Sequence, residues 1–507
     1  MAAVGGLGHP IRRGDGPRGL SGGSVAGTFQ SRLIVHGVTT ISCSKQDVVG
    51  DRSEKGHVYP TGSDWAHPAA KAAWEACPSG PAREKQEAHH ERVRERHQDR
   101  RLSALKADLP QRYEARTPGS KRLFEQLQRR ITGGVEGSIK FSARIPWLLS
   151  RRRAPWLEAE LAEMVAGLYP SIESLRFTNS GLEATLLAVR LGLAASGRDV
   201  VAKFEGHYHG GHEHVLVSVS ADPDRPGPER RPSAVPAPLG LPEHFVEHTI
   251  VLPFNDYEAC EAILTAERER VGVVVLEPME AGVVPADPQF LRRLRELTER
   301  LGIVLVFDEV KTGFRVRLGG AQEYYGVQAD LTALGKILGG GLPIGAVGGK
   351  REIMELLSPL RAGGHTVFHS GTFNGNPTSV AAGIATLQFL QEPGVFQGVL
   401  DATDALRCSV ERLGQETGFP VQTVGVGAVF DIFLAQDPVT GYRTRVASDR
   451  ESRLALDFCL IEEGVFSKPL NRYSLSTAHT AEVVRRTEDA FARSFACLRA
   501  LKERGAL

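Results

Sequence analysis

The sequence is short of paired cysteine, of net charge and of long apolar runs, and each shortage removes a class of protein. Its six cysteines (Cys43, Cys77, Cys260, Cys408, Cys459 and Cys497) are scattered over 507 residues without a C-x-x-C pair. Neither a disulfide framework nor a zinc-finger spacing is present, and a reducing cytoplasm is the compartment that fits. Lys plus Arg number 61 against 60 Asp plus Glu, a formal charge of +1. That balance excludes a global basic field for gripping nucleic acid. No window reaches the roughly 18 consecutive apolar residues of a membrane-spanning helix, so no membrane partner is expected. What is present is 41% hydrophobic and 24% charged residues, a globular composition. Glycine and proline, 55 and 29 of them, make up about 17% of the chain against a background of roughly 12%, which predicts many turns.

Residues 1–106 differ from the rest. Residues 1–50 are rich in Gly, Ser and Arg, with Asp15 and Asp47 their only acids, and carry no sustained periodicity. An Arg-rich, acid-poor start also allows an organelle transit peptide, a reading that requires an amphipathic helix. The charge-dense run 83–106 reads as a solvated helix or disordered linker. The expected organisation is a low-complexity, disordered extension over 1–106 and a short helical segment over 107–167. A large α/β domain over 168–390 and a smaller C-terminal α+β domain over 391–507 follow. In the large domain, apolar runs such as Ile303 to Phe307 alternate with helix-period segments. Strands apolar on both faces predict a mostly parallel sheet covered by helices on both sides, with ligands beyond the strands' carboxyl ends.

Three constellations in that domain carry chemistry. Asn179-Ser180-Gly181 joins an expected strand to a helix starting near Leu182. Such a turn presents free N–H groups at the positive end of a helix dipole and suits an anion, although Ser180 reads equally as a plain helix cap. Asp308 ends the apolar strand of IVLVFDEV. A carboxylate there costs several kcal/mol unless a cation or donor meets it, and Glu309 competes for the same role. Lys336 follows another apolar strand and precedes Gly339-Gly340-Gly341, a setting in which its amine can be partly desolvated, as a Schiff-base lysine requires. An anion site, an acid and an amine together meet the needs of pyridoxal phosphate (PLP): its phosphate, its ring nitrogen and its aldehyde.

The strings RFTNSGLEA, KFEGHYHGG, VVLEP, VFDEVKTGFR, LGKILGGGLPIGAVGG and SGTFNGNP resemble the class III, fold type I aminotransferases, nearest their glutamate-1-semialdehyde aminomutase-like branch. The resemblance covers roughly Leu168 to Leu507, with a further piece at Tyr113 to Phe141. It implies Lys336 as the Schiff-base lysine and Asp308 at the ring nitrogen. Ser180 and Gly181 would hold the phosphate, with Leu182 beside them, and Tyr208 would stack on the ring with His209 in the same loop. Val310 would pack on the other face, and Glu277 would support the hydrogen bonds beside the ring. Thr372 would reach a phosphate in a neighbouring subunit, implying a homodimer. The cluster His207, His209, His212 and His214 offers a metal site as a rival, but no Asp or Cys pattern completes a tetrahedral set.

The chain also departs from the family. Leu182 stands where relatives carry Thr, removing one hydroxyl contact worth roughly 1 kcal/mol. Asn471 replaces a glutamate of the aminomutases, and the segment after Glu277-Pro278 is shorter than theirs and lacks their ring-facing Asn. Only 44 positions separate Val135 from Asn179, fewer than the resemblance implies. Lys140 stands where relatives often have a substrate-carboxylate Arg, with a surface lysine as the alternative. The expected function is a PLP-dependent aminotransferase acting between a small amino donor and a carbonyl acceptor. The alternatives are an intramolecular aminomutase and a PLP-binding but catalytically impaired homologue.

Overall fold

The two-sided apolar strands assemble into one sheet. The structure, a computed structural model, describes residues 115, 118–134, 155–220, 227–237, 239–361, 363, 365–505 and 507. The extension over 1–106 and the shortened stretch over 135–154 lie outside the described residues. The sheet has seven strands: β1 Ser174–Thr178, β2 Val200–Phe204, β3 Thr249–Leu252, β4 Val271–Leu276, β7 Val304–Asp308, β8 Leu331–Leu334 and β9 Gly345–Gly349. A small ribbon, β5 Met279–Glu280 with β6 Val284–Pro285, branches off after β4. The sheet order is β1-β9-β8-β7-β4-β2-β3. The run from β8 to β3 is parallel, and β9 runs antiparallel to both of its neighbours.

Period-two alternation sorts the side chains between two layers. Val273, Val275, Val304 and Val306 pack on helix Gly181–Ser196, while Val274, Leu276, Leu305 and Phe307 pack beneath helices Tyr257–Ala266 and Pro288–Leu301. Counting the helices of eight or more residues in chain order, α1 is Pro118–Gln128, α2 Pro155–Leu168, α3 Gly181–Ser196, α4 Tyr257–Ala266, α5 Pro288–Leu301 and α6 Pro377–Leu390. The buried Arg176 of β1 donates to the carbonyls of Thr132 and Leu357 and so ties residues 131–134 to the sheet edge.

The C-terminal region builds its own core. Helices α7 Val395–Thr417, α8 Arg450–Glu462 and α9 Ala481–Glu503 cover the antiparallel strands β10 Val421–Val426, β11 Val429–Leu434 and β12 Tyr473–Ser474. Phe430, Ile432, Leu456, Leu460, Phe491 and Phe495 fill the space between them. Two ion pairs bolt this region to the rest of the fold: Arg443 to Glu205, just past β2, at 2.7 Å and Arg445 to the fully buried Glu280 of the β5–β6 ribbon at 2.8 Å. Among the described residues no helix is long and apolar enough to cross a membrane.

Candidate active site

Five of the expected site residues lie just past the carboxyl ends of parallel strands or of the edge strand β1, where such sheets bind ligands. Ser180 follows β1, Tyr208 follows β2, Glu277 follows β4, Asp308 ends β7 and Lys336 follows β8. Crossover connections place these strand ends along one edge of the sheet, so residues up to 156 positions apart in sequence share a single cleft.

The end built around Asp308 is closed. Asp308 is buried, its Oδ1 accepts from the Val310 N–H at 3.0 Å, and its Oδ2 lies 2.9 Å from His209 Nδ1. Burial lowers the His209 pKa even though Asp308 raises it, so the imidazole is neutral and donates through Nδ1–H. The sequence asked for a cation or donor beside Asp308, and within the chain its carboxyl group meets two donors, with Lys336 as a charged neighbour. Its carboxyl group therefore keeps acceptor capacity for a further N–H, which suits the protonated ring nitrogen of PLP. Glu309 is not a rival for this role. Its carboxylate is fully occupied by Thr312 Oγ1 and the amides of Ala321 and Gln322, a structural hub inside the fold.

Glu277 accepts from the Tyr208 N–H at 3.1 Å, and its own N–H donates to His207 Nδ1 at 3.0 Å. Burial raises its pKa, and neighbouring Asp308 adds to the rise. Beneath the Tyr208 loop, the fully buried Lys203 donates to the carbonyls of His207 and Val217 at 3.0 and 2.6 Å. Its pKa falls to about 7 through burial. These bonds fix the loop's backbone while leaving Tyr208 56% exposed, which keeps its ring available for stacking.

Lys336 opens onto the cleft, and its backbone has φ 49°, a left-handed conformation that costs a residue with a Cβ. The glycines after it make the turn possible. Gly340, at φ 56°, packs so closely on α6 that a Cβ would lie 2.3 Å from Thr386 Oγ1. Removal of water by the surrounding protein lowers the Lys336 pKa from 10.5, while Asp308 and Glu277 hold it up and Arg315 and Arg472 push it down. A lysine so placed is more often neutral than a free one, the condition for attack on an aldehyde.

The opposite end is open. Ser180 caps α3 by accepting from the Glu183 N–H at 3.2 Å, and the Ala184 N–H goes to the Ser180 carbonyl. That leaves the first two amides of the helix, Gly181 and Leu182, directed out of the helix start, a seat for an anion. A Cβ at Gly181 would lie 2.5 Å from Val310 Cγ1, so only glycine allows this close approach. The plain-cap reading of Ser180 is the one seen directly, its side chain being spent on the Glu183 N–H. Leu182, 39% exposed, packs on Gly210 and offers no hydroxyl. Thr372 is exposed, and Asn179 Nδ2 donates to Asn374 Oδ1 at 2.8 Å, linking the turn to the SGTF loop. Lys140 lies outside the described residues.

The four histidines do not converge. His207 and His209 are bound as described, buried His212 has neither ring nitrogen bonded among the described residues, and His214 packs edge-on against Phe245 at 5.0 Å. Burial takes the His212 pKa to about 3, keeping it neutral. Sequence reasoning missed Lys203, the Asn179–Asn374 link and the basic pair Lys311 and Arg315. Only Lys203 left a sign, as the one charged residue inside the strand VVAKF.

Comparison with known proteins agrees with this fold. The family described as aminotransferase class-III matches residues 147–465. A glutamate-1-semialdehyde 2,1-aminomutase from Desulfosudis oleivorans is 41% identical over 346 residues, 68% of this chain and 78% of that protein. An omega-transaminase from Sphaerobacter thermophilus superposes with a TM-score of 0.66 at 33% identity, over 76% of this chain and 99% of that one. A transaminase with PLP bound superposes with a TM-score of 0.61 at 29% identity, over 76% of this chain and 83% of that one.

Proposed function

The chain belongs to the class III aminotransferase family, whose members are PLP enzymes, and from that premise we propose that it carries an amino group from an amino acid or amine to a carbonyl acceptor. When bound, PLP supplies an aldehyde for the substrate's amine and a ring that draws electrons from the α-carbon. The observation that carries the reading is the meeting of Lys336, Asp308 and the α3 helix start along one sheet edge.

In this reading Lys336 Nζ, freed when the substrate amine takes its place, would be the base that takes the α-proton and the acid that returns it at the carbon of the former aldehyde. Asp308 holds the ring-nitrogen proton, and His209 holds Asp308 in line through Nδ1–H. The Gly181 and Leu182 amides seat the phosphate, with the Ser180 cap fixing their direction. Tyr208 and Val310 cover the two ring faces, and Glu277 pins the Tyr208 amide. Lys140 would meet a substrate carboxylate.

The active unit is a homodimer in this reading. Support comes from apolar side chains left exposed, Leu182, Leu342, Phe368 and Phe373, the last 68% exposed. A partner covering them would bring its Thr372 to the phosphate. The free cysteines favour a reducing, cytoplasmic setting.

The 41% identity to an aminomutase supports a second reading, internal transfer on one substrate. Holoenzyme given glutamate-1-semialdehyde alone separates the two. An aminomutase rearranges it without a second carbonyl compound, whereas a transaminase turns over only when amino donor and keto acid are both supplied. A panel in which no pair turns over, although the cofactor is bound, would leave the impaired homologue standing.

A further inference from the structure

Among the described cysteines, two meet although nothing in their spacing suggests it. Cys459 lies on α8 and Cys497 on α9, 38 positions apart, and Cys459 Sγ stands 2.8 Å from Cys497 Sγ as its hydrogen-bond donor. Both helices are held in place independently of the sulfurs. Leu456 and Leu460 of α8 pack with Phe491, Phe495 and Leu498 of α9, and Arg493 Nε binds Glu463 Oε2 at 2.5 Å just past the end of α8. The other described cysteines lack such a neighbour: Cys260 donates to the Pro253 carbonyl inside the core, and Cys408 is exposed.

We propose that Cys459 and Cys497 form a reversible disulfide that staples α8 to α9 when the protein meets a small-molecule disulfide oxidant. The two sulfurs have unequal roles. Cys459 is buried and its thiol is pushed up to about 12, chiefly by burial and then by its bond to Cys497, so it keeps its proton. Cys497 is half-buried, so its sulfur is the more accessible of the two, and it accepts the Cys459 S–H. The Cys497 thiolate therefore reacts first. It attacks glutathione disulfide, forming a Cys497–glutathione bond and releasing one glutathione thiolate. Cys459 then attacks the Cys497 sulfur, the second glutathione leaves, and the Cys459 proton goes to it. Two protein thiols are oxidised, one glutathione disulfide is reduced to two glutathiones, and no further oxidant is needed.

The staple closes the loop from α8 through β12 to α9, which includes Arg472, an electrostatic neighbour of Lys336. Its main expected consequence is stability, because cross-linking restricts the unfolded chain more than the folded one. The proposal is independent of the cofactor reading.

The test starts from holoprotein purified in dithiothreitol, freed of it and exposed to glutathione disulfide. Peptide mapping without reduction should find a cross-linked species joining the Cys459 and Cys497 peptides, two hydrogens lighter than their sum. The melting temperature should rise by roughly 3–6 °C and fall back with dithiothreitol. Cys459→Ser and Cys497→Ser should each lose the cross-link and the rise. Recovery of Cys497 carrying only glutathione with Cys459 still free, or of both thiols free while Cys408 is modified, would overturn the proposal, and mapping of the wild-type protein decides it even if a variant fails to fold.

Discussion

The two ends of the cleft are built on opposite plans. Around Asp308 the polar contacts are buried or part-buried and made within one chain: His209 and Val310 on the carboxyl group, Glu277 on the Tyr208 amide, Lys203 on the loop beneath. Around the α3 start the serine is spent on its own helix, Leu182 is apolar, and Thr372 and Phe373 face outward. Preorganised groups in a dry site stabilise developing charge with little rearrangement, so the closed end should govern rate. The open end only has to hold an anion, which backbone amides do through the helix dipole, so it should govern cofactor affinity.

Breaking the closed end gives the largest expected effect. Asp308→Asn should lower kcat by about 10²–10⁴-fold while cofactor retention after gel filtration stays near wild type, measured by steady-state transamination and absorbance. A loss of cofactor with kcat per bound cofactor intact would reverse the assignment of the two ends. His209→Ala should follow, with a kcat loss of about 10-fold or more. It should also cost about 1–3 kcal/mol of stability, because Asp308 Oδ2 is left buried without its donor. Chemical denaturation alongside kinetics checks both.

The open end should respond differently. Leu182→Thr should tighten the cofactor Kd by about fivefold with kcat unchanged, the hydroxyl adding roughly 1 kcal/mol. Titration of apoprotein with PLP measures it, and a change in kcat instead would blur the comparison.

The smallest effect is a pH shift linking the ends. Lys336 is protonated and unreactive below its pKa and neutral above it, so aldehyde capture by the apoprotein should rise with pH. Burial lowers the pKa, which puts the midpoint below 10.5. Asp308 raises the Lys336 pKa, so Asp308→Asn should move that midpoint further down. Stopped-flow capture of a simple aldehyde across pH gives both values, and a midpoint that climbs in the variant would contradict the electrostatics described.

Much of this fold and site is legible in the sequence because it is written locally. Apolar runs such as Val304 to Phe307 are buried on both faces, and that pattern alone implies helices on both sides of a parallel sheet. Lys336, Asp308 and Ser180 sit where strand ends and turn glycines put them, so their place at the sheet edge follows from spacing. Partnerships between distant segments are not legible in the same way. The donors to Asp308 include a histidine 99 positions away, and Asn179 meets Asn374 across 195 positions. Cys459 meets Cys497 only because α8 and α9 pack. Such pairs depend on which strands neighbour each other, and β9 inserted antiparallel between β1 and β8 is an order that no local pattern specifies.

Three lysines with lowered pKa values, Lys203, Lys311 and Lys336, stand in or beneath this cleft, and only one of them can carry the covalent cofactor bond. The central assignment is therefore tested most directly by reducing PLP-loaded protein with borohydride and mapping the pyridoxyl group by peptide mass spectrometry. The account predicts the label on Lys336, with Lys203 and Lys311 unmodified. A label on Lys311 or Lys203 with Lys336 unmodified would contradict it.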